Sequence, residues 1–263
     1  MKKYAVSDIY SLSFKNKRSK NMDKIKIIYH NSNIFAILLD GHGNIDITDT
    51  IIEYIEHFIV NNFDFSNKSV VYNIIKKIDK NIYYKYSSYR NKRCGSTLTI
   101  IAILDKNIIS INLGDSNYCI VTNKDYYTGI THNFNNNYDE IVRVLKMKSD
   151  HRFSYNNQIR LNSRLELSRS IGDYNYKLKN NKLSLNYIVL VKPEFKIYNI
   201  NECYIMLASD GIWNYIKRKD IIENINNSQE CQEIVKNIIN LALKRGSYDN
   251  LSVILIKMRK NKQ

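Results

Sequence analysis

The sequence predicts an α+β fold built as a sandwich, and the order of its predicted elements is the main reason. Strands cluster in hairpin-like groups and helices occur in pairs, whereas a doubly wound sheet would alternate the two along the chain. No linker rich in Pro, Gly or Ser and no internal repeat interrupts the 263 residues. We therefore predict a single domain that covers residues 1–263.

The first half of the chain predicts a hairpin, a helix pair and a group of three strands. Residues 24–30 and 33–40 are apolar runs joined by a short turn, as in a pair of strands. Apolar residues recur at helical spacing in 46–63 and again in 71–82. The three β-rich runs that follow are 97–104, 108–113 and 118–122.

The second half begins with a mixed region of weak periodicity, 126–184, whose Asn-rich stretch at 132–137 is predicted to be a loop. Residues 228–245 then carry apolar side chains on one helical face, and Gly246 is a typical helix stop. The strands predicted in this half are 195–200, 203–208 and 251–258.

Composition favours a globular, intracellular protein. Hydrophobic residues make up 44% of the chain, which is ordinary for a folded domain. No apolar run approaches the roughly 18 residues of a membrane span, and the N-terminal residues contain no apolar core of signal-peptide length. We expect a monomer in the cytoplasm, with the nucleus left open, and no membrane partner.

Cysteine and histidine usage gives no sign of a zinc site. Four cysteines are widely spaced and form no Cys-x-x-Cys pair: Cys94, Cys119, Cys203 and Cys231. A disulfide framework is therefore not expected, and the five histidines lack metal-ligand spacing as well.

The formal net charge of +15 raises the question of nucleic-acid binding. However, Lys, Asn, Ile and Tyr are abundant while Pro (1) and Gly (8) are scarce, as an A/T-rich coding sequence would produce. The basic residues are scattered, and their densest clusters, 15–20 and 257–262, lie near the ends. A solvated basic surface is the better interpretation, so we expect no nucleic-acid partner.

Apolar runs end in Asp followed by a small residue at three positions, Asp40, Asp115 and Asp210, and Asp23 and Asp249 stand just before predicted strands. Each instance alone is typical of a turn. Carboxylates at strand ends can nevertheless converge at one edge of a sandwich, where their repulsion is unfavourable unless cations neutralise it. Oxygen ligands of this kind suit hard divalent ions such as Mg²⁺ or Mn²⁺. The pattern by itself names no reaction.

Longer strings around these aspartates resemble the signature motifs of the type 2C family of protein phosphatases. The seven matching segments are 35–43 (FAILLDGHG), 95–97 (GST), 112–116 (NLGDS), 167–173 (LSRSIGD), 193–194 (PE), 207–213 (LASDGIW) and 249–253 (DNLSV). They occur in the family's order and approximate spacing, from about Arg18 to Ile256. One such string would be a weak match, but seven in register make the resemblance specific.

The resemblance implies two packed antiparallel β-sheets flanked by helical pairs, in agreement with the α+β prediction. It also implies two core ions, Mg²⁺ or Mn²⁺, at one end of the sandwich, and a weaker third ion. Matched by position, Asp40 bridges both core ions and the Gly41 carbonyl binds one of them. Asp210 and Asp249 complete the ligands of the other core ion, and Asp115 helps Asp210 to hold the third.

The activity that the resemblance implies is hydrolysis of phosphoserine and phosphothreonine in proteins by a water that the ions activate. Asp23 occupies the acidic position whose carboxylate acts on that water. Arg18, five residues before Asp23, fits the phosphate-gripping arginine, whose guanidinium fork binds two phosphate oxygens. His42 fits the general acid that protonates the departing serine or threonine oxygen.

Four other prominent residues have structural interpretations. His132 corresponds to a loop position of the family with no assigned chemistry. Arg169 and Asp173 are interpreted as a buried pair or network, and Trp213 as a core residue.

The sequence departs from the family pattern at four positions. Met22 replaces a Glu beside Asp23, and Asn214 stands where the family often has Asp, which weakens the case for a firmly held third ion. Ser163 replaces a Gly before the LSRSIGD segment, and Thr131 replaces the Asp of an Asp-His pair. Residues 133–160 correspond to a flap beside the active site.

These departures leave a second hypothesis open, a pseudophosphatase that folds and binds partners with weak or no turnover. Met22 and Asn214 motivate it, whereas the retained Asp40, Asp210 and Asp249 favour an enzyme. A basic nucleic-acid-binding domain, a third possibility, rests on charge alone.

Overall fold

Two antiparallel β-sheets pack face to face in the computed structural model, which describes residues 4–86, 94–105, 107–147, 151–179, 182–184, 187–199 and 201–260. Numbered along the chain, the first sheet has the strand order β1-β16-β15-β7-β8. Its strands are β1 (Tyr4–Phe14), β7 (Asn117–Val121), β8 (Tyr126–Thr128), β15 (Cys203–Ala208) and β16 (Leu251–Lys260).

The second sheet has seven strands in the order β11-β4-β3-β5-β6-β14, with β2 also paired to β3. Its strands are β2 (Asp23–His30), β3 (Asn33–Gly43), β4 (Cys94–Ser96), β5 (Leu98–Ile103), β6 (Asn107–Leu113), β11 (Ile171–Gly172) and β14 (Glu194–Asn199). The predicted fold class, two packed antiparallel sheets flanked by helices, is confirmed.

Strand β3 shows how the layers are built. Ala36 and Leu38 face the first sheet in the core between the two sheets. Phe35, Ile37 and Leu39 point to the other side and pack under the helices. Because the strand is covered on both faces, it reads as a continuous apolar run instead of an alternating one.

Helices cover the outer face of each sheet. On the second sheet lie α1 (Thr48–Val60) and α2 (Lys68–Lys85). On the first sheet lie α4 (Asp210–Trp213), α5 (Arg218–Asn227) and α6 (Cys231–Lys244). As predicted, the last long helix ends next to Gly246, whose φ of +89° is the left-handed conformation of a helix stop.

The mixed region folds into a small subdomain with a core of its own. It contains helix α3 (Tyr138–Leu145), the hairpins β9 (Phe153–Tyr155)–β10 (Ile159–Leu161) and β12 (Leu178–Lys179)–β13 (Lys182–Leu183), and a short 3₁₀ turn (Tyr174–Tyr176). The loop predicted at 132–137 leads into α3.

The sequence analysis missed the long strand β1, several strands of two or three residues, and helices α3, α4 and α5. No strand was predicted before residue 24, yet β1 occupies Tyr4–Phe14. It lies at the edge of its sheet and is mostly half-buried, so its sequence lacks a continuous apolar run. Helix α5 was missed because its core contact rests on little more than Ile221 and Ile225. Ile200 and Lys262, at the ends of a predicted strand and a predicted basic cluster, lie outside the described residues.

The four cysteines are buried free thiols. Among the described residues, no helix has both the length and the apolar character needed to cross a membrane.

Candidate active site

Three aspartates converge at one end of the sandwich. Asp40, Asp115 and Asp210, here called the acidic cluster, bring carboxylate oxygens within 4.8 Å of one another. Asp40 lies in β3, Asp115 in the turn after β6, and Asp210 at the start of α4 directly after β15. The acidic cluster therefore joins ligands from both sheets, as the sequence analysis expected for carboxylates at strand ends.

Thr97, of the Gly-Ser-Thr segment, ties strand β3 to the turn after β6. Its Oγ1 accepts a hydrogen bond from the Asp40 amide at 3.0 Å and shares another with Ser116 Oγ at 2.8 Å. Gly114, just before Asp115, has a φ of +109°, and a side chain there would run into Thr97. The glycine and the threonine together fix where Asp115 lies relative to Asp40.

In the first sheet, two hydrogen bonds between Ser209 and Ser252 position the neighbouring Asp210. The Ser209 amide donates to the Ser252 carbonyl at 3.1 Å, and the Ser252 amide donates to Ser209 Oγ at 3.1 Å. Trp213, predicted as a core residue, is half-buried and donates from Nε1 to the Ala208 carbonyl at 2.8 Å. These bonds hold the turn between β15 and α4.

Asp23 lies beside Asp40 because the two are register partners in the β2–β3 pair. Its carboxylate is buried, and no described residue bonds its Oδ2 atom. Burial raises the pKa of Asp23 to about 6. The neighbouring Met22 uses its backbone: its amide donates to Asn250 Oδ1 at 2.9 Å, and its carbonyl accepts from Gly41 at 3.1 Å.

The acidic cluster is electrostatically unfavourable on its own. Burial, followed by the charges of neighbouring aspartates, raises the pKa values of Asp40 and Asp210 well above the ordinary range. Burial also raises the pKa of Asp115. All three pKa shifts indicate that the protein places too little positive charge near these carboxylates to neutralise them.

Asp249 lies at the edge of this group and is paired with Arg18. Arg18 donates from Nε and Nη2 to the two carboxylate oxygens at 2.8 and 2.6 Å. The hydrogen bond to Asp249 and the charges of Asp210 and Asp40 raise the pKa of Arg18. Asp249 is thus near the acidic cluster without belonging to it, and its role as a metal ligand stays a prediction.

His42 contacts a carboxylate that the sequence analysis did not link to it. Its Nε2 donates to the two oxygens of Asp173 at 2.8 and 3.0 Å, and Ser170 Oγ donates to Asp173 Oδ2 at 2.6 Å. Burial lowers the pKa of the imidazole, but the charge and hydrogen bond of Asp173 outweigh burial, so the pKa is raised overall. Asp173 therefore orients His42, and the raised pKa favours the protonated imidazole that a proton donor needs.

Gly95 lies against His42 and Asp173 and makes room for both because it has no side chain. A methyl group on its α-carbon would collide with the His42 ring and the Asp173 carboxylate. The register partners of Gly95 are His42 on one side and Gly172 on the other. The glycine is required by this close approach and not by a positive φ.

A fully buried ion pair lies behind Asp173. Lys177 Nζ donates to Asp79 Oδ1 at 3.0 Å and to the Ser170 carbonyl at 2.8 Å, and both charged side chains are 0% exposed. The Gly172 amide also donates to Asp79 Oδ1, at 2.7 Å. The pair connects α2 to the segment that carries Asp173.

The predicted loop at 132–137 has a structural role at the site. The His132 amide donates to the Gly114 carbonyl at 2.8 Å, and its Nδ1 accepts from the Gly114 amide at 3.3 Å. Burial lowers the pKa of His132 to about 3, so the ring is neutral and can accept. Asn133 Nδ2 donates to Asp115 Oδ2 at 2.8 Å. Sequence reasoning found the loop but not these contacts.

Arg169 and Asp173 belong to two different networks. Arg169 Nε donates to Glu140 Oε1 at 3.1 Å, and Arg143 Nε donates to Glu140 Oε2 at 3.0 Å. Arg143 also donates to the Ile188 carbonyl at 2.9 Å. This network fixes α3 at the base of the small subdomain, whereas Asp173 bonds His42.

The donor set at this end of the sandwich fits hard divalent cations. All candidate ligands are oxygens, two of the carboxylates have strongly raised pKa values, and Asp23 keeps a buried oxygen without a partner. Mg²⁺ and Mn²⁺ prefer such ligands. Arg18, which is already paired with Asp249, does not supply enough positive charge to neutralise these carboxylates.

A sequence model of the family described as "Protein phosphatase 2C" matches residues 13–251. The chain belongs to the protein phosphatase 2C family. Metal dependence is a property of this family, and the acidic cluster is consistent with it.

Individual relatives agree with the family assignment. "Protein phosphatase 1B" of Homo sapiens is 27% identical over 247 residues, which cover 84% of this chain and 50% of the relative. "Probable protein phosphatase 2C 28" of Arabidopsis thaliana is 27% identical over 233 residues, which cover 86% and 64%. The chain thus spans about half to two thirds of the length of these relatives.

Solved structures support the fold. A phosphatase from a pathogenic strain of Toxoplasma gondii superimposes with a TM-score of 0.82 over 99% of this chain and 97% of that one, at 16% identity. The serine/threonine phosphatase Stp1 of Staphylococcus aureus gives a TM-score of 0.72 over 96% and 95%, at 19% identity.

The departures from the protein phosphatase 2C pattern have distinct structural consequences. Ser163, where the family has Gly, adopts a φ of +59°, the left-handed conformation that favours glycine. Thr131 Oγ1 accepts a hydrogen bond from Asn117 Nδ2 at 3.2 Å. Asn214 Nδ2 donates to Asp210 Oδ2 at 3.4 Å, so it meets the carboxylate as a donor and adds no negative charge.

Proposed function

We propose that this chain hydrolyses phosphoserine and phosphothreonine in proteins with Mg²⁺ or Mn²⁺ as its cofactor. The observation that carries the proposal is the convergence of Asp40, Asp115 and Asp210 from two sheets, with oxygens within 4.8 Å of one another. Membership of the protein phosphatase 2C family supports the same activity.

The metal ligands follow from the residues at this end of the sandwich. We assign Asp40 and the Gly41 carbonyl to the core ions together with Asp210 and Asp249, and Asp115 with Asp210 to a weaker third ion. When bound, these ions activate water for attack on phosphorus and offset the charge of the phosphoryl oxygens.

The remaining chemistry belongs to side chains around the cluster. Asp23, buried beside Asp40, orients the attacking water. Arg18 uses Nε and Nη2 to bond Asp249, which leaves Nη1 to donate to a phosphoryl oxygen. His42, held by Asp173 at 2.8 Å, protonates the departing oxygen of the substrate.

A metal-titrated assay on a phosphothreonine peptide tests this function. We expect no turnover in a chelator, turnover that rises with added Mn²⁺ or Mg²⁺, and loss of that turnover in Asp210→Asn. Calorimetric Mn²⁺ titration provides a readout besides activity, because Asp210→Asn should bind fewer ions or bind them more weakly.

The competing hypothesis is a binding module without turnover, motivated by Met22 and Asn214. Among the described residues, no contact around the acidic cluster favours it, and Asp40, Asp210 and Asp249 are all retained. A well-folded protein that releases no phosphate at any Mn²⁺ concentration would establish the binding module and reject the enzyme.

A further inference from the structure

The loop between β1 and β2 places unpaired positive charge beside the candidate active site. Residues 15–20, here called the basic loop, include Lys15, Lys17, Arg18 and Lys20, and all four are exposed. Arg18 is paired with Asp249. Within the described part of the chain, none of the three lysines has an ion-pair partner.

The basic loop is fixed in place by the segment that carries Asp249. Asn250 Nδ2 donates to the carbonyls of Lys15 and Lys20 at 2.9 and 3.0 Å, which closes the two ends of the loop on one side chain. Asn16 Nδ2 donates to the Ser247 carbonyl at 2.7 Å. The backbone that carries the lysines is therefore held at a set position relative to Asp249.

Lys17 rests on an aromatic ring of the same segment. Its Nζ lies 4.2 Å from the centroid of the Tyr248 ring, and Tyr248 is 62% exposed. This contact orders the lysine side chain without neutralising its charge. The ammonium group thus remains available to an anion from solution.

The lysines lie beside a site whose negative charge opposes the binding of an anionic substrate. The acidic cluster repels an approaching phosphoprotein, and the basic loop at its rim offsets that repulsion and attracts acidic chains. Of the two densest basic clusters, 15–20 and 257–262, the first places three lysines within three residues of Arg18.

We propose that the basic loop binds anionic side chains that flank the phosphorylated residue of the substrate, either carboxylates or a second phosphoryl group. Lys17 and Lys20 lie one and two residues from Arg18, hence within about 8 Å along the backbone. An extended peptide spans about 3.3 Å per residue, so the anionic positions fall within about three residues of the phosphorylated one. This inference rests on the proposed function, because it assumes that Arg18 binds the scissile phosphoryl group.

The test compares three phosphothreonine peptides of equal length, with neutral flanks, with aspartate flanks and with a second phosphothreonine. The variant Lys17→Glu/Lys20→Glu reverses the loop charge. The control Lys80→Glu/Lys236→Glu makes the same change in net charge at exposed positions on α2 and α6, away from the loop.

We expect the unaltered protein to show a KM about fivefold lower for an anionic peptide than for the neutral one, with similar kcat values. The loop variant should lose this preference and the control should keep it. The preference should also shrink in high salt, as screened surface charges do. The two anionic peptides distinguish a carboxylate from a phosphoryl ligand.

Equal KM values in the unaltered protein, or a preference that survives in the loop variant, would overturn the inference. So would equal losses in the loop and control variants, which would indicate net charge alone. Fluorescence anisotropy of the same labelled peptides measures the preference without turnover, so a failed phosphatase assay would not hide it. Loss of DNA retention, but not of peptide preference, in the loop variant would instead assign the lysines to nucleic acid.

Discussion

The acidic cluster, which is half-buried, and the fully buried Asp79–Lys177 pair differ in the source of the positive charge that opposes their carboxylates. Asp79 receives a lysine ammonium at 3.0 Å and a backbone amide at 2.7 Å, all from this chain. Asp40 and Asp210 face each other and further aspartates, and their pKa values are raised well above the ordinary range. The Asp79 pair contains its own cation, although burial still raises the pKa of Asp79 and no described residue bonds its Oδ2 atom. The acidic cluster contains no such cation.

This difference separates a structural network from a binding site. Buried charge persists in a folded protein when it is paired and hydrogen-bonded. Carboxylates that lack such pairing need cations from solution to neutralise them. A metal centre is built from carboxylates of this kind. Removing charge should therefore stabilise one region and destabilise the other.

The largest expected effect comes from Asp40→Asn. Turnover of a phosphothreonine peptide in Mn²⁺ should fall by at least about 10³-fold, because Asp40 is the proposed ligand to both core ions. In chelator, the melting temperature should rise by about 2–4 °C, since one repelling charge is removed. Calorimetry and a phosphate-release assay measure the two effects.

Asp49→Asn is the matched control, because its carboxylate is 71% exposed and pairs with Lys24 at the surface. It should change neither turnover nor melting temperature appreciably. A lower melting temperature for metal-free Asp40→Asn would show that the acidic cluster is already neutralised, and the contrast with Asp79 would disappear.

Breaking the Asp79–Lys177 pair should have the next largest effect. Lys177→Met leaves the Asp79 charge buried without a partner, so the free energy of unfolding should fall by about 3–5 kcal/mol in a urea titration. Adding Asp79→Asn removes the stranded charge and keeps an oxygen for the Gly172 amide. The double variant should therefore regain a substantial part of the loss. A double variant as unstable as the sum of the single ones would contradict the pairing.

A smaller effect is expected at the carboxylate between the two regions. Asp173→Asn keeps the shape of the side chain but removes the charge that holds His42, so turnover of a phosphothreonine peptide should fall by about 10–100-fold. Turnover of p-nitrophenyl phosphate should fall less, because its leaving group departs without protonation. Equal losses on both substrates would indicate that His42 does not act as the acid.

The smallest effect concerns a reference pair that joins α5 to the end of α6. Arg245 donates to Asp220 at 2.6 and 2.9 Å, and its hydrogen bonds lower the pKa of Asp220 to about 2. A carboxylate whose pKa is lowered on folding adds stability above its ordinary pKa and loses it as the pH falls toward the lowered value. Asp220→Asn should lower the melting temperature by about 3 °C at pH 6.

This difference from the unaltered protein should shrink between about pH 4 and pH 2. A difference that is independent of pH would mean that Asp220 stabilises only by capping α5, where its Oδ2 accepts from the Lys217 amide at 2.8 Å.

Local patterns predicted most of the fold. The continuous apolar run of β3 and the helical spacing of α1 and α2 are properties of neighbouring residues, so the sequence shows them directly. Edge strand β1 and the weakly apolar α5 carry fainter patterns and were missed. Membership of one domain, the cytoplasmic location and the monomeric state stay predictions.

The sequence predicts the site residues that lie in motifs. It does not predict the residues that only tertiary contacts bring together. Asp40, Asp115 and Asp210 each end an apolar run, and the structure brings them together. Asp79 and Lys177 are 98 positions apart and lie in segments without a shared pattern. No local rule connects such residues, so only the folded arrangement reveals the pair.

The acidic cluster straddles the seam between the two sheets, since Asp40 and Asp115 come from one and Asp210 from the other. The full ligand set consequently exists only while the sheets remain docked. A cation bound between these carboxylates would therefore stabilise the docked sheets, and a higher cation concentration would raise the free energy of unfolding.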